Sequence, residues 1–266
     1  MSNAWDPLVA SPPKEVPLRD APLVRVIAQL RFPEILRVEQ RDFIAPFQEA
    51  LRAIYPVLRQ GQAQEMLFDL HTPGVLSEKQ RIVWRFSDVE DNWRVSLASD
   101  FLALETTKYT SRLDFLARLR TTVDAVAVHL APKLIDRIGV RYIDRIIGSD
   151  VDNIAKLVHP EVRGIIGSAV ATHAAHTISE SLFRLSDSQV LARWGQLPPG
   201  ATIDPAAIEP AKEKSWILDL DMFSTAPLPF STEQVLSNVQ RYAERIYTLF
   251  RWAVTDDFLR RYGGTP

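Results

Sequence analysis

The apolar residues of this chain change period twice, each time in the same order. A run of alternating residues gives way to a helical stripe, then to several more alternating runs, then to a long helical stripe. A chain patterned like this has to lay helices against one face of a sheet. Val24, Val26, Ala28, Leu30 and Phe32 alternate with Arg25, Ile27, Gln29 and Arg31, which predicts a half-buried strand. Phe43, Phe47, Leu51, Ile54 and Leu58 then recur at helical spacing, with Pro46 suited to a first turn and Pro56 to an end. Strands are expected at Glu65–Leu70, at Arg81–Ser87 and from Trp93, the last either continuing or turning at Ser99-Asp100 into Phe101–Lys108, with Asp88–Asn92 as a polar turn. A helix follows from about Ser111 to Leu130, capped by Ser111 with Asp114 and carrying Leu113, Leu116, Leu119, Val123, Val126 and Leu130.

The second pass begins with a strand over Ile138–Ile146, with Arg141, Ile143 and Arg145 on one face. Val151–Ile166 reads as helical, broken near Pro160 and Gly164, and strands are expected at Ala171–Leu185, Gln189–Trp194 and Trp216–Met222. In the last of these Trp216, Leu218, Leu220 and Met222 alternate with Ile217, Asp219 and Asp221. Ser231 with Gln234 opens the final long helix, whose stripe is Val235, Val239, Tyr242, Ile246, Leu249 and Ala253. A short helix from Thr255 ends at Gly263.

The expected fold is therefore α+β. Two pseudo-repeated β-α-β(3–4)-α halves, 22–131 and 132–266, form one compact unit around a curved antiparallel sheet with helices on one face. This arrangement resembles the TATA-box-binding-protein-like topology, a likeness of topology that carries no function. Residues 1–21, with Pro7, Pro12, Pro13 and Pro17, form an extended Pro-rich tail that either docks through Trp5 or hangs free. Pro198–Lys214 interrupts the second half with Pro198, Pro199, Pro205 and Pro210, and reads as a long surface loop.

Composition narrows the function. Lys+Arg number 31 against 33 Asp+Glu, so bulk positive charge does not drive binding to nucleic acid. No Cys is present, which removes disulfides, thiolate metal sites and cysteine nucleophiles. Only ten Gly stand against 18 Pro, and there is no P-loop, no G-x-G-x-x-G, no G-x-S-x-G and no H-E-x-x-H. No cofactor is called for. Without an apolar run of about 18 residues or a leader, the expected location is the cytoplasm, with no membrane partner. Only seven of the basic residues are Lys, leaving 24 Arg, a bias that either follows base composition or serves bidentate anion recognition.

Three constellations could carry chemistry. His173 and His176 lie three apart, a metal-ligand spacing only if the segment is helical, and it reads as strand or turn. Asp219 and Asp221 project from one face of a strand, as paired carboxylates for a hard cation or for acid–base work do, or as solvated acids bridged to arginines. Arg25, Arg31, Arg85, Arg94, Arg141, Arg145 and Arg193 alternate outward from separate strands and share a surface if the strands share a sheet. Trp93 and Trp194 lie near that face and are candidates for stacking.

Three stretches carry a family resemblance. They are Pro22-Leu23 with Val26-Ile27 and Leu30-Arg31-Phe32; Arg137-Ile138-Gly139-Val140-Arg141-Tyr142-Ile143-Asp144; and Leu249-Phe250, Val254-Thr255-Asp256 and Tyr262-Gly263. Together they resemble an uncharacterised family of roughly 250-residue bacterial and archaeal proteins of sporadic distribution. The resemblance implies no catalytic residue, and its sporadic distribution implies a mobile or defence-linked setting. The reading that results is a non-enzymatic binding or adaptor protein, recognising an acidic protein partner or anionic ligand through Arg25, Arg31, Arg85, Arg94, Arg141, Arg145, Arg193, Asp219 and Asp221. The alternatives are a nucleic-acid-binding protein using the same face and a metal-dependent or small-ligand enzyme around Asp219 and Asp221.

Overall fold

A computed structural model describes residues 5–68 and 75–266. The last two residues of the strand expected at Glu65–Leu70 fall outside them. Along the chain lie β1 (Leu23–Arg31), α1 (Arg41–Leu51), β2 (Val57–Phe68), β3 (Val75–Ser87), β4 (Trp93–Ala98), β5 (Phe101–Thr106) and α2 (Arg112–His129). After them come β6 (Leu134–Ile135), β7 (Arg137–Ile147), α3 (Ser149–Asp152), α4 (Ile154–Leu157) and α5 (Pro160–Arg163). The chain continues through β8 (Thr177–Arg184), β9 (Ser188–Leu197), β10 (Ser215–Ser224), β11 (Leu228–Pro229), α6 (Thr232–Ala253) and α7 (Asp256–Arg261). The fold is mixed α+β with a large antiparallel sheet, in which β2-β3-β4-β5-β1 follow one another in hydrogen-bonded order, as do β7-β10-β9-β8. The chain divides into two compact units, one of residues 27–138 with 226–237, the other of 1–26, 139–225 and 238–266.

In the unit of residues 27–138, alternation sends Trp84 and Phe86 of β3 and Trp93, Val95 and Leu97 of β4 to one face, where all five are buried. Phe47 of α1 meets Phe86 edge-on at 5.5 Å, and Phe115 of α2 lies 5.8 Å from Trp93. The Trp84 indole N–H donates to the Val38 carbonyl at 2.7 Å, satisfying the one polar atom this large side chain brings inside. Ser111 Oγ accepts the Asp114 N–H and caps α2 as its sequence predicts.

Several expectations fail at element ends. α1 stops at Leu51, so Ile54 falls in a turn and Leu58 in β2, because the residue before Pro56 is driven out of the helical region. Leu113 is 82% exposed: two residues before Phe115 along α2, it points about 200° away from the buried stripe. Ala169–His173 forms a 3-10 turn, so β8 begins at Thr177 rather than at Ala171.

In the other unit, Val239, Tyr242, Ile246, Leu249 and Ala253 of α6 are all buried, as the helical stripe requires. Phe250, Phe258 and Tyr262 form an aromatic cluster, Phe250 meeting Phe258 edge-on at 5.5 Å and Phe258 lying tilted against Tyr262 at 4.7 Å. The Pro-rich tail, expected to be extended, makes a turn over residues 6–10 and is tied to α6 through its backbone. The Arg245 guanidinium donates to the Pro7 and Ala10 carbonyls at 2.7 and 2.8 Å, and Tyr247 Oη accepts the Val16 N–H at 2.8 Å. Within the tail the Val9 and Ala10 N–H groups donate to the Asp6 carbonyl at 3.3 and 2.9 Å, and the Pro7 and Ala10 carbonyls are left for the Arg245 donor. Arg245→Ala is expected to accelerate protease cleavage within residues 5–16 about tenfold or more, since hydrogen bonds from a charged donor are each worth about 1.5–3 kcal/mol. Digestion of the intact chain, followed by mass spectrometry, measures it.

Candidate functional site

The face of β7, β10 and β9 opposite the helices is built by alternation in the second unit. Trp216, Leu218, Leu220 and Met222 of β10 are buried toward the helices, which leaves Ile217, Asp219 and Asp221 on the reverse. Register places Arg193 of β9 directly opposite Asp219, and Arg141 of β7 opposite Asp221. Arg141 reaches diagonally to Asp219, its Nε 2.8 Å from Oδ1 and its Nη2 2.9 Å from Oδ2. Arg193 grips Oδ2 from the other side through Nη2 at 2.6 Å and Nε at 3.0 Å. Asp219 is 1% exposed, so it is a buried acid held between two guanidinium groups, not the solvated carboxylate expected of a polar sheet face.

The reason is the loop 198–214, which folds back over this face. Ala207 and Ile208 at its crest are buried. Asp204 Oδ2 accepts Arg141 Nη1 at 2.6 Å, while its Oδ1 accepts the Ala206 N–H at 3.1 Å and so shapes the turn that presents it. Thr202 Oγ1 donates to the Ile208 carbonyl at 2.9 Å and closes the loop on itself. Further along β7, Arg145 Nη2 donates to the Glu209 carbonyl at 2.6 Å, while Arg145 Nε is buried without a hydrogen-bond partner.

Charge follows from this geometry. Desolvation works against the Arg141 charge, but hydrogen bonds and attraction from Asp219 and then Asp204 outweigh it, and the guanidinium is held above its ordinary value. Burial likewise opposes ionisation of Asp204, and Arg141 overrides it and lowers that carboxyl. Arg145 is the exception: burial lowers it, and its bond to Glu209 is to a backbone carbonyl, with no carboxylate to offset the penalty.

The remaining arginines divide between the units. Arg85 and Arg94 share the outward face of β3 and β4 in the first unit, where Arg94 lies 3.3 Å from Glu105 and 3.8 Å from Asp91. The Arg85 guanidinium lies over Gly61 of β2, in the space a Cβ there would occupy. Arg31 is exposed at the end of β1, and Arg25 is half-buried in the other unit. Trp93 and Trp194, expected near the polar face, are 5% and 9% exposed because their positions in the alternation turn them toward the helices, so neither offers a stacking platform. His173 and His176 are exposed, and among the described residues no three His, Cys, Asp or Glu come together to hold a metal ion.

Sequence reasoning missed Asp204 and Glu209, whose contacts depend on how the loop closes and leave no local pattern. It also missed Asp144, on the helix side of β7 opposite Leu218. There the signal was present: Asp144 takes the place of an apolar residue between Tyr142 and Ile146. It is 8% exposed, and desolvation pushes its carboxyl up to about 7. At the base of the roofing loop a cavity of about 480 Å³ is lined by Ile154, Ile166, Thr172, Gln196, Pro198 and Lys214, with Lys214 Nζ 2.8 Å from Asp152. Among the described residues no helix is long and apolar enough to cross a membrane. Comparison of the chain with protein-family models, with curated proteins and with solved structures finds no match.

Proposed function

We propose that this protein is a binding module that takes an acidic segment of a partner onto the face bearing Arg141, Arg145 and Arg193, in competition with its own loop 198–214. One observation carries the reading. The chain already sets a carboxylate, that of Asp204, on the outer end of Arg141, while Arg145 beside it makes do with the Glu209 carbonyl. A partner carboxylate supplies Arg145 with the charged acceptor that the loop withholds, and such charge-assisted bonds are about twice as strong as neutral ones. Arg85 and Arg94 belong to a separate face in this reading, and Asp219 and Asp221 position arginines rather than bind the partner.

The test is the affinity of a fluorescent peptide of alternating Asp and Gly, beside single-stranded DNA of equal charge. Arg145→Gln is expected to weaken peptide binding about tenfold, and Asp204→Ala to tighten it by removing the internal competitor. Absence of peptide binding at low salt in both the parent and Asp204→Ala overturns the reading. Tighter binding of the DNA, falling steeply with salt, replaces it with nucleic-acid recognition.

We also read the two β-α-β-α runs as a pseudo-repeat of TATA-box-binding-protein-like topology. Support comes from the winding within each half: β1-β5-β4-β3-β2 in one and β7-β10-β9-β8 in the other, each with its first strand beside its last. An adaptor role in a mobile or defence-linked bacterial system rests on the family resemblance alone.

A further inference from the structure

β8 ends the hydrogen-bonded order of strands, with β9 on one side and no strand among the described residues on the other. Edge strands of soluble proteins are usually blunted by Lys, Pro or a bulge. The sequence of β8, Thr177 to Arg184, contains neither residue, and its register with β9 is unbroken over eight pairs. Ile178, Glu180, Leu182 and Arg184 alternate onto one face. Ile178 and Leu182 are 38% and 50% exposed. Glu180 and Arg184 are exposed too, and neither forms an ion pair with a described residue. Glu180 sits opposite Arg193, but both donor atoms of that guanidinium facing the ladder are taken by Asp219.

We propose that β8 pairs antiparallel with β8 of a second copy of this chain, about a two-fold axis through Leu182. In that register each Leu182 faces its counterpart, and Glu180 of either copy faces Arg184 of the other. The strand is thus complementary to itself in charge and apolar contact, as an isologous interface requires. Opposite charges directly across a ladder stabilise it, and like charges there destabilise it. The axis stands perpendicular to the sheet, so the same face of both copies points the same way.

The chain has no Cys, which makes the test direct. Leu182→Cys is expected to form a disulfide-linked dimer under mild oxidation, because residues facing each other across antiparallel strands bring their Cβ atoms within about 4.5–5.5 Å. Val170→Cys, 58% exposed and outside β8, is the control and is expected to form no disulfide-linked dimer. Sedimentation equilibrium of the full chain gives the second readout. Glu180→Arg and Arg184→Glu, each turning two attractive pairs into two repulsive ones, are expected to weaken the dimer about tenfold. The double variant Glu180→Arg/Arg184→Glu restores it. A chain monomeric at every concentration overturns the proposal, as does a dimer indifferent to both single changes or one the double change fails to rescue.

Discussion

Asp219→Ala is expected to lower the stability of the chain by about 3–5 kcal/mol, the usual result of removing one partner from a buried ion pair. The mechanism lies in what the substitution leaves behind. Arg141 and Arg193 share that one carboxylate through four hydrogen bonds of 2.6 to 3.0 Å, and their side chains are 14% and 18% exposed. Without Asp219, Arg141 keeps Asp204 on its outer end, but Arg193 loses its carboxylate and faces Arg141 across the vacated position. The two positive charges then repel in a setting that water enters poorly. Thermal unfolding is expected to shift down by about 10 °C for a chain of this size. A companion variant separates the cost of an orphaned charge from the worth of the cluster: Arg141→Met/Asp219→Leu/Arg193→Met with Asp204→Asn removes the three groups and the carboxylate paired with Arg141, and replacing a buried ionic cluster by uncharged residues is often neutral or stabilising. The expected order of midpoints is therefore single variant lowest, with the quadruple variant near the parent. An Asp219→Ala midpoint within a degree of the parent's rejects this account of the site.

The parts of this molecule legible in its sequence are those where one local rule decides. α6 buries every residue of the stripe from Val235 to Ala253, because helical period and a cap at Ser231 point the same way. β10 and β7 keep their alternation for the same reason. The roof over Arg141 and Arg145 was not legible. Four prolines among alanines specify a loop without specifying where it lies, and the contact from Asp204 to Arg141 spans 63 residues. The burial of Asp219 was hidden with it, since a strand residue on the polar face is solvated unless something distant covers it. Neither the tail's turn at residues 6–10 nor its destination was legible, the latter depending on Arg245 and Tyr247 more than two hundred residues away. Asp144 is a different kind of miss, a local signal passed over: its register position faces the core, even though an unpaired acid is seldom buried there.

That carboxyl makes the stability of the chain depend on pH in a direction opposite to that of an ordinary salt-bridged acid. Asp144 sits among Leu218, Ile146 and Trp216, whose indole Nε1 makes no hydrogen bond. Tyr142 lies two residues before it on the same face of β7, and Tyr262, which feels its charge, donates its hydroxyl to Asp150 at 3.1 Å, an acid that Arg261 also engages at 2.8 Å. Burial pushes the Asp144 carboxyl up to about 7 from an ordinary 3.8. Below about pH 4 the folded and unfolded chains both hold this proton, and the group has no effect on stability. Between the two values only the folded chain holds it, so stability falls as pH rises. Above about 7 both have lost it and the penalty is complete, about 4 kcal/mol for a shift of about three units at 1.36 kcal/mol each. Asp144→Asn fills the same space without a charge. It is therefore expected to match the parent near pH 4 and to exceed it by up to about 4 kcal/mol near pH 8. Urea denaturation of both proteins across that range isolates the effect, because Asp204 and Asp187, lowered by their arginines, contribute equally to each. A difference between the two that stays constant with pH shows that Asp144 is ionised throughout, and that a charge inside this sheet is stabilised by something other than the groups that surround it.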